Sequence, residues 1–291
     1  MRPAKADAKW ADERFRVGEG LHLAIERHGP DDGQPVILLH GGGQTRGSWK
    51  KTAQILGKAG YSVLAYDARG HGASDWAEDG DYMLDAYSRD LGSVVRALGR
   101  APLLVGASLG GLTAMTAIGN GSITAAGLVL VDVVAVVMNR GTERVRNFMS
   151  GHPDGFATVD DALSAVRAYR SDRSRPIQSS RSMERNLRQR EDGRYHWHWD
   201  PRILWDDDQY SPVEVQAKLE RAAQSLDLPV MLIRGAASDV VTEDGMARFR
   251  ALVPHVQTVE IEAAGHMIVG DENLLVNRSL LAFFAGIPPP L

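Results

Sequence analysis

A series of short, nearly unbroken apolar runs limits what this chain can become: "PVILLHG", "YSVLAYDARG", "PLLVGAS", "GLVLVDVV" and "LPVMLIRGAAS". Each is rich in Val, Leu and Ile and stops at small or polar residues. Runs of this kind suit strands covered on both faces, as in a parallel sheet, whereas a half-exposed strand alternates. Helical spacing fills the gaps between them. "WKKTAQILGKAG" and "DYMLDAYSRDLGSVVRALG" both end on a glycine stop, and "LGGLTAMTAIGNG" has side chains small enough to pack tightly on a sheet. Near the N-terminus, "FRVGEGLHLAIERHG" alternates as an antiparallel hairpin does.

The strand–helix rhythm breaks between about Asn139 and Ser211. That stretch is rich in Arg, Asp and Ser and contains the helical pieces "VDDALSAVRAYR" and "SMERNLRQRE". The rhythm returns with "LPVMLIRGAAS", "TEDGMARFRALV", "QTVEIEAAGH" and "ENLLVNRSLLAFF". The expected architecture is α/β: a mostly parallel sheet flanked by helices, formed by residues 1–138 and 212–291, with a helical insertion over 139–211. Acidic residues match the arginines of the insertion, so its surface reads as solvated and ion-paired.

Composition narrows the chemistry. The 291 residues contain no cysteine, which excludes a thiol nucleophile, a disulfide and a Cys-based metal site. A formal charge of −4 gives no electrostatic case for nucleic acid. The longest apolar stretch, Ala125 to Met138, is interrupted by Asp132 and is too short to span a bilayer. "MRPAKADAKWADERF" lacks the apolar run of a signal peptide. The expectation is a cytoplasmic protein with a small-molecule substrate and neither a nucleic-acid nor a membrane partner.

Chemistry enters at "PLLVGASLGGL", residues 102–112. "GASLG" fits G-x-S-x-G between a strand and a helix, the context in which that motif presents a nucleophile. A sharp strand-to-helix turn would strain Ser108 and lift its hydroxyl above the sheet, with small neighbours leaving room. The helix N-terminus would aim amides at developing negative charge. The alternative is an ordinary tight turn.

A serine hydroxyl needs a base and an oriented partner. His266, in "IEAAGHM", follows the last strand, where a loop can carry it over the sheet edge. His152, His196 and His198 lie in the insertion, and His255 precedes the last strand. For the acid, Asp239 in "LIRGAASDVV" is favoured for its loop-forming neighbours. Its rival is Asp132 in "LVLVDVV", which also reads as a buried structural carboxylate. The acid would bind the imidazole Nδ1–H and fix its tautomer. In "LLHGGGQTRGSW" the glycines free backbone amides to face a ligand, so the N–H groups of Gly42 and Leu109 are the expected oxyanion donors. Neither phosphate-loop spacing is present.

Together these segments resemble the α/β-hydrolase superfamily: "HGGG", "YDARGHGAS", "GASLGG", "GAASD" and "AAGHM", in that order after successive strands. The resemblance implies an eight-stranded, mostly parallel sheet with a helical cap inserted after strand six. It implies cofactor-free, metal-free hydrolysis through an acyl-enzyme, with Ser108 as nucleophile, His266 as base and Asp239 as orienting acid. "YDARGHGAS" is similar to the family's D-x-R-G-x-G-x-S segment at Asp67, Arg69, Gly70, Gly72 and Ser74, which implies a structural turn. His71 within it precedes the serine, the wrong chain order for the base.

The expected activity is cleavage of a carboxylic ester, lactones included, of a small and partly apolar substrate. Alternatives on the same frame are a carbon–carbon hydrolase, a cofactor-free perhydrolase or haloperoxidase, and a small-molecule receptor. Tyr195, Trp197 and Trp199 alternate with His196 and His198, so at strand period the aromatics share one face. They read as core anchors of the insertion or as an aromatic substrate wall. Trp49, after the glycine loop, reads as a core residue or as part of the pocket mouth. No third ligand completes a metal site with the two histidines.

Overall fold

A computed structural model describes residues 14–135, 140–169, 180–204, 211–262 and 274–287. Arg14–Arg16 (β1) and His22–His28 (β2) form the expected antiparallel hairpin. Pro35–Leu39 (β3), Ser62–Tyr66 (β4), Leu103–Ala107 (β5), Gly127–Val131 (β6) and Val230–Gly235 (β9) are buried along their whole length. That is the burial their unbroken apolar runs require. Gln257–Ile261 (β10) is a largely exposed edge. The eight strands order as β1-β2-β4-β3-β5-β6-β9-β10, parallel from β4 to β10 with β2 antiparallel to β4.

Helices cover both faces. Lys50–Lys58 (α1) and Leu274–Ala285 (α9) seal one apolar cluster, which also holds Leu38, Val105, Val129 and Ile233. Leu84–Leu98 (α2), Leu109–Gly119 (α3), Pro212–Gln224 (α7) and Glu243–Leu252 (α8) seal the other, with Leu104, Leu128, Leu130 and Leu232. The helix stop after α2 is Gly99, with φ 68°. Trp49 belongs to the α1/α9 cluster and is 1% exposed. The pocket-mouth reading of Trp49 is therefore corrected: its indole is core packing between the glycine loop and α1.

The insertion departs from an all-helical cap. Arg140–Ser150 (α4), Val159–Tyr169 (α5) and Ser180–Met183 (α6) are helical. Leu187–Gln189 (β7) and Tyr195–Trp197 (β8) then form an antiparallel hairpin. "SMERNLRQRE" thus starts as helix and ends as strand. The hairpin turn at Gly193 (φ 79°) and the alternating "YHW" outweigh the helical composition.

This hairpin rests on the loop after β4. The Gly72 N–H donates to His198 Nδ1 at 2.8 Å, Arg188 donates to the Gly72 carbonyl at 2.5 Å, and the Asp200 N–H donates to the Gly70 carbonyl at 2.8 Å. Tyr82 Oη donates to Asp200 Oδ2 at 2.6 Å, and Arg202 donates to the Ala77 carbonyl at 2.8 Å. Several of the insertion's arginines therefore tie it to the core, beyond the solvated surface their composition suggested. The loop itself is rigid by construction. Arg69 and Asp90 pair through two hydrogen bonds, 2.7 and 2.8 Å, with both side chains buried. Asp67 accepts from the Arg46 and Ala73 amides at 2.7 and 2.9 Å and pairs with the Arg46 guanidinium.

Candidate active site

Ser108 stands between β5 and α3 with φ 46° and ψ −116°, a backbone conformation that non-glycine residues rarely hold. The turn works only because its neighbours are small. A Cβ on Gly106 would come within 2.5 Å of the Gly110 carbonyl carbon, and one on Gly110 within 2.5 Å of the Leu39 carbonyl oxygen. The crowding of glycines around Ser108 is thus a steric condition for the strand to turn into α3.

The glycine loop after β3 reaches the same place. Leu39 is in register with Gly106, so Gly41 comes level with Ser108. A Cβ on Gly41 would lie 3.3 Å from Ser108 Cβ. The amides of the loop have different fates. The Gly41 N–H donates to Gln44 Oε1 at 3.0 Å and the Gly43 N–H to His71 Nε2 at 3.2 Å. Among the described residues no acceptor takes the N–H of Gly42 or of Leu109. Leu109 directly follows Ser108, and Gly42 follows Gly41, the glycine whose Cβ would lie against Ser108.

His71 is therefore a support for the glycine loop, a role its sequence position did not reveal. Its Nδ1–H donates to the Arg69 carbonyl at 3.0 Å. His40 does similar work: Nδ1–H donates to the Gly41 carbonyl at 2.8 Å, and Nε2 accepts from the Ala68 N–H at 2.9 Å. The rings of His40 and His71 lie 5.1 Å apart, and His198 stands 6.1 Å from His71. Burial holds all three neutral. It pushes His40 down to about 4, His71, which also faces His40, to about 3, and His198 well below its usual value. Arg46 adds to the effect on His40 and Arg188 to that on His198, while Asp67 opposes it at His71.

These histidines predict acid sensitivity. The unfolded chain takes up protons first, so their stabilisation is complete above pH ~6.5 and is lost as pH falls toward about 4 and then about 3. Each histidine contributes up to about 1.4 kcal/mol per pH unit within its window. Denaturant unfolding at pH 7 and pH 5 is expected to show this loss. His198→Asn keeps an acceptor for the Gly72 N–H and removes the titration, so it should flatten the pH dependence. An unchanged slope in that variant would exclude His198 as a contributor.

The two carboxylates occupy different settings. Val131 is in register with Ala107, so Asp132 leaves β6 level with Ser108 on the neighbouring strand. Asp132 is 1% exposed and has φ 50°. Its carboxylate accepts from the Gly235 N–H at 3.1 Å and from Ser238 Oγ at 2.6 Å. Asp239 lies six residues beyond Ile233, the register partner of Val131. Its carboxylate receives two hydrogen bonds from Arg144 of α4, 2.7 and 2.8 Å, and is 42% exposed. His266 lies outside the described residues. Ile261, the last residue of β10, pairs with Gly235, so β10 ends at the sheet edge where Ser108 and Asp132 stand.

Side chains of the insertion pack on the glycine loop. A Cβ on Gly42 would meet Met149 Sδ at 3.5 Å, and one on Gly43 would meet the Trp199 ring at 3.3 Å. Trp197 stacks on Trp199 with centroids 4.8 Å apart, and Phe156 meets Trp197 edge-on at 4.9 Å. Trp197 and Trp199 share one face, as their spacing suggested, while His198 faces the core loop. Tyr195 is half-buried and pairs with Phe156 through the backbone. Met149 carried no sequence signal; only the folding of α4 over the loop brings it there.

The alpha/beta hydrolase fold family matches residues 34–273. The esterase Rv0045c of Mycobacterium tuberculosis is 30% identical over 269 residues, spanning 87% of this chain and 82% of that protein. The 3-hydroxybutyrate-oligomer hydrolase of Cupriavidus necator is 27% identical over 269 residues, 85% of this chain and 88% of that one. A solved structure of the M. tuberculosis esterase superposes with a TM-score of 0.74 at 27% identity, covering 94% of this chain and 91% of that one. With its sheet order, its strained serine turn and a family match over most of its length, the chain belongs to the α/β-hydrolase family.

Proposed function

We propose that this hydrolase cleaves carboxylic esters, lactones included, of small and partly apolar substrates through an acyl-enzyme on Ser108. The observation that carries the reading is the strained Ser108 turn packed against the Gly41 end of the glycine loop, with no acceptor among the described residues for the amides of Gly42 and Leu109. The two similar full-length hydrolases are named as an esterase and as an oligomer hydrolase, which supports ester chemistry.

In this reading Ser108 Oγ attacks the carbonyl carbon and His266 accepts its proton. The Gly42 and Leu109 amides hold the oxyanion, each worth on the order of 10²–10³ in rate. Collapse expels the alcohol, which takes the proton back from the imidazolium. Water then attacks the acyl carbon by the same route, and the acid leaves. The orienting acid is Asp132 rather than the Asp239 expected from the sequence. Asp132 is buried, shares the level of Ser108, and is itself oriented by two donors, as a group that holds an imidazole should be. Asp239 spends its carboxylate on a half-exposed guanidinium.

Met149 and Trp199 over the glycine loop set the room beside the reacting carbonyl. A panel of p-nitrophenyl esters of rising acyl length tests both activity and roof. The intact protein should favour short chains. Met149→Ala should raise kcat/KM on longer chains relative to acetate by about tenfold or more, the scale of one or two methylenes in an apolar pocket. Absence of turnover on every ester and lactone tried would overturn the proposal.

A further inference from the structure

Moving the acid to Asp132 leaves Asp239 with a fork-like ion pair and no role. Its surroundings supply one. Ser238 Oγ gives its single proton to Asp132 Oδ2 at 2.6 Å and accepts the N–H groups of Val240 and Val241 at 3.2 and 3.1 Å. The hydroxyl thus has its donor and both acceptor sites in use, and its direction depends on the shape of the β9–α8 loop. The next residue, Asp239, is held by Arg144 Nε and Nη2, and Arg144 Nη1 donates to the Tyr169 carbonyl at 3.1 Å. The guanidinium also lies 4.8 Å over the Tyr169 ring. Gly141, one turn earlier on α4, meets the same loop: a Cβ there would come within 2.4 Å of the Asp239 carbonyl oxygen. The cap thus grips the loop through a side-chain fork and a backbone contact on one helix face.

We propose that the Arg144–Asp239 pair is a latch by which the cap positions the catalytic acid, holding the β9–α8 loop so that Ser238 stays bonded to Asp132. The inference rests on Asp132 as the orienting acid. Arg144, Asp239 and Ser238 are positioning residues. The pair is partly exposed and contributes little stability of its own, so its effect lies in geometry. Nor does it alone keep the cap in place. Arg188, His198, Asp200 and Arg202 separately anchor the β7–β8 hairpin and the chain after it to the loop after β4. Losing the latch should therefore leave the cap seated and the acid misaligned.

The test is ester turnover across pH for Arg144→Met, Asp239→Asn, Ser238→Ala and the double variant Arg144→Met/Ser238→Ala, with Asp132→Asn alongside. The latch variants should lower kcat on the order of 10- to 100-fold, the scale of an ångström-level misplacement, with KM nearly unchanged. They should displace the acidic limb of kcat/KM in the same direction as Ser238→Ala. The double variant should be no worse than the poorer single one, because both act on one hydrogen bond. Arg144→Lys should recover part of kcat, and it carries the comparison if Arg144→Met folds poorly. The latch is overturned if the two losses multiply, if only KM moves, or if the acidic limb stays in place. An active Asp132→Asn variant would instead remove the acid assignment itself.

Discussion

Ser108→Ala is expected to lower kcat on a short p-nitrophenyl ester by about 10⁶ while leaving the fold intact. In the proposed mechanism the hydroxyl oxygen forms and breaks the acyl bond, and alanine offers no atom to replace it. A residual rate of about 10³ over water should survive, from the Gly42 and Leu109 amides and from binding. The backbone adds a second expectation. At φ 46° and ψ −116°, any side chain at this position costs about 1–3 kcal/mol, and alanine keeps that cost. Glycine removes it and gives back about 0.5–1 kcal/mol in unfolded-state entropy. Ser108→Gly should therefore be as inactive as Ser108→Ala yet melt higher, by roughly 2 °C for a net gain of about 1 kcal/mol. Calorimetry on the pair decides it. A glycine variant melting below the alanine variant would show that the turn stores no strain.

The second large effect separates the carboxylates. Asp132→Asn should cost about 10⁴ in kcat, the scale seen when an orienting acid becomes an amide and the imidazole takes the wrong tautomer. Asp239→Asn should cost no more than about 10²-fold, because it loosens a loop without removing the charge that steadies the imidazolium. Steady-state kinetics on the two variants give the ranking directly. The reverse ranking would return the acid to Asp239 and make Asp132 a buried structural carboxylate that braces Gly235 and Ser238.

Much of the frame was legible because its causes are local. Unbroken apolar runs predict strands buried on both faces, and β3, β4, β5, β6 and β9 are buried throughout. Ser108 was legible because a strained turn demands small residues at fixed offsets. Other features depend on contacts distant in sequence. Asp132 sits in an apolar run, and only the register between β5 and β6 places it level with Ser108. Asp239 has the composition of a catalytic loop, and its partner Arg144 lies 95 residues away. Trp49 follows a glycine loop, yet α1 and α9 enclose it. The β7–β8 hairpin arises inside a stretch of helical composition, where alternation and a Gly193 turn prevail. Met149 over Gly42 is visible only once α4 is folded down.

The central claim is covalent, and mass spectrometry tests it most directly. Acid quench during turnover of a p-nitrophenyl ester should leave the acyl group on one peptide, the one containing Ser108. The adduct should appear within the first turnover and vanish as substrate is exhausted. Turnover with no adduct at Ser108, or an adduct that persists while product keeps forming, would contradict an acyl-enzyme on that serine.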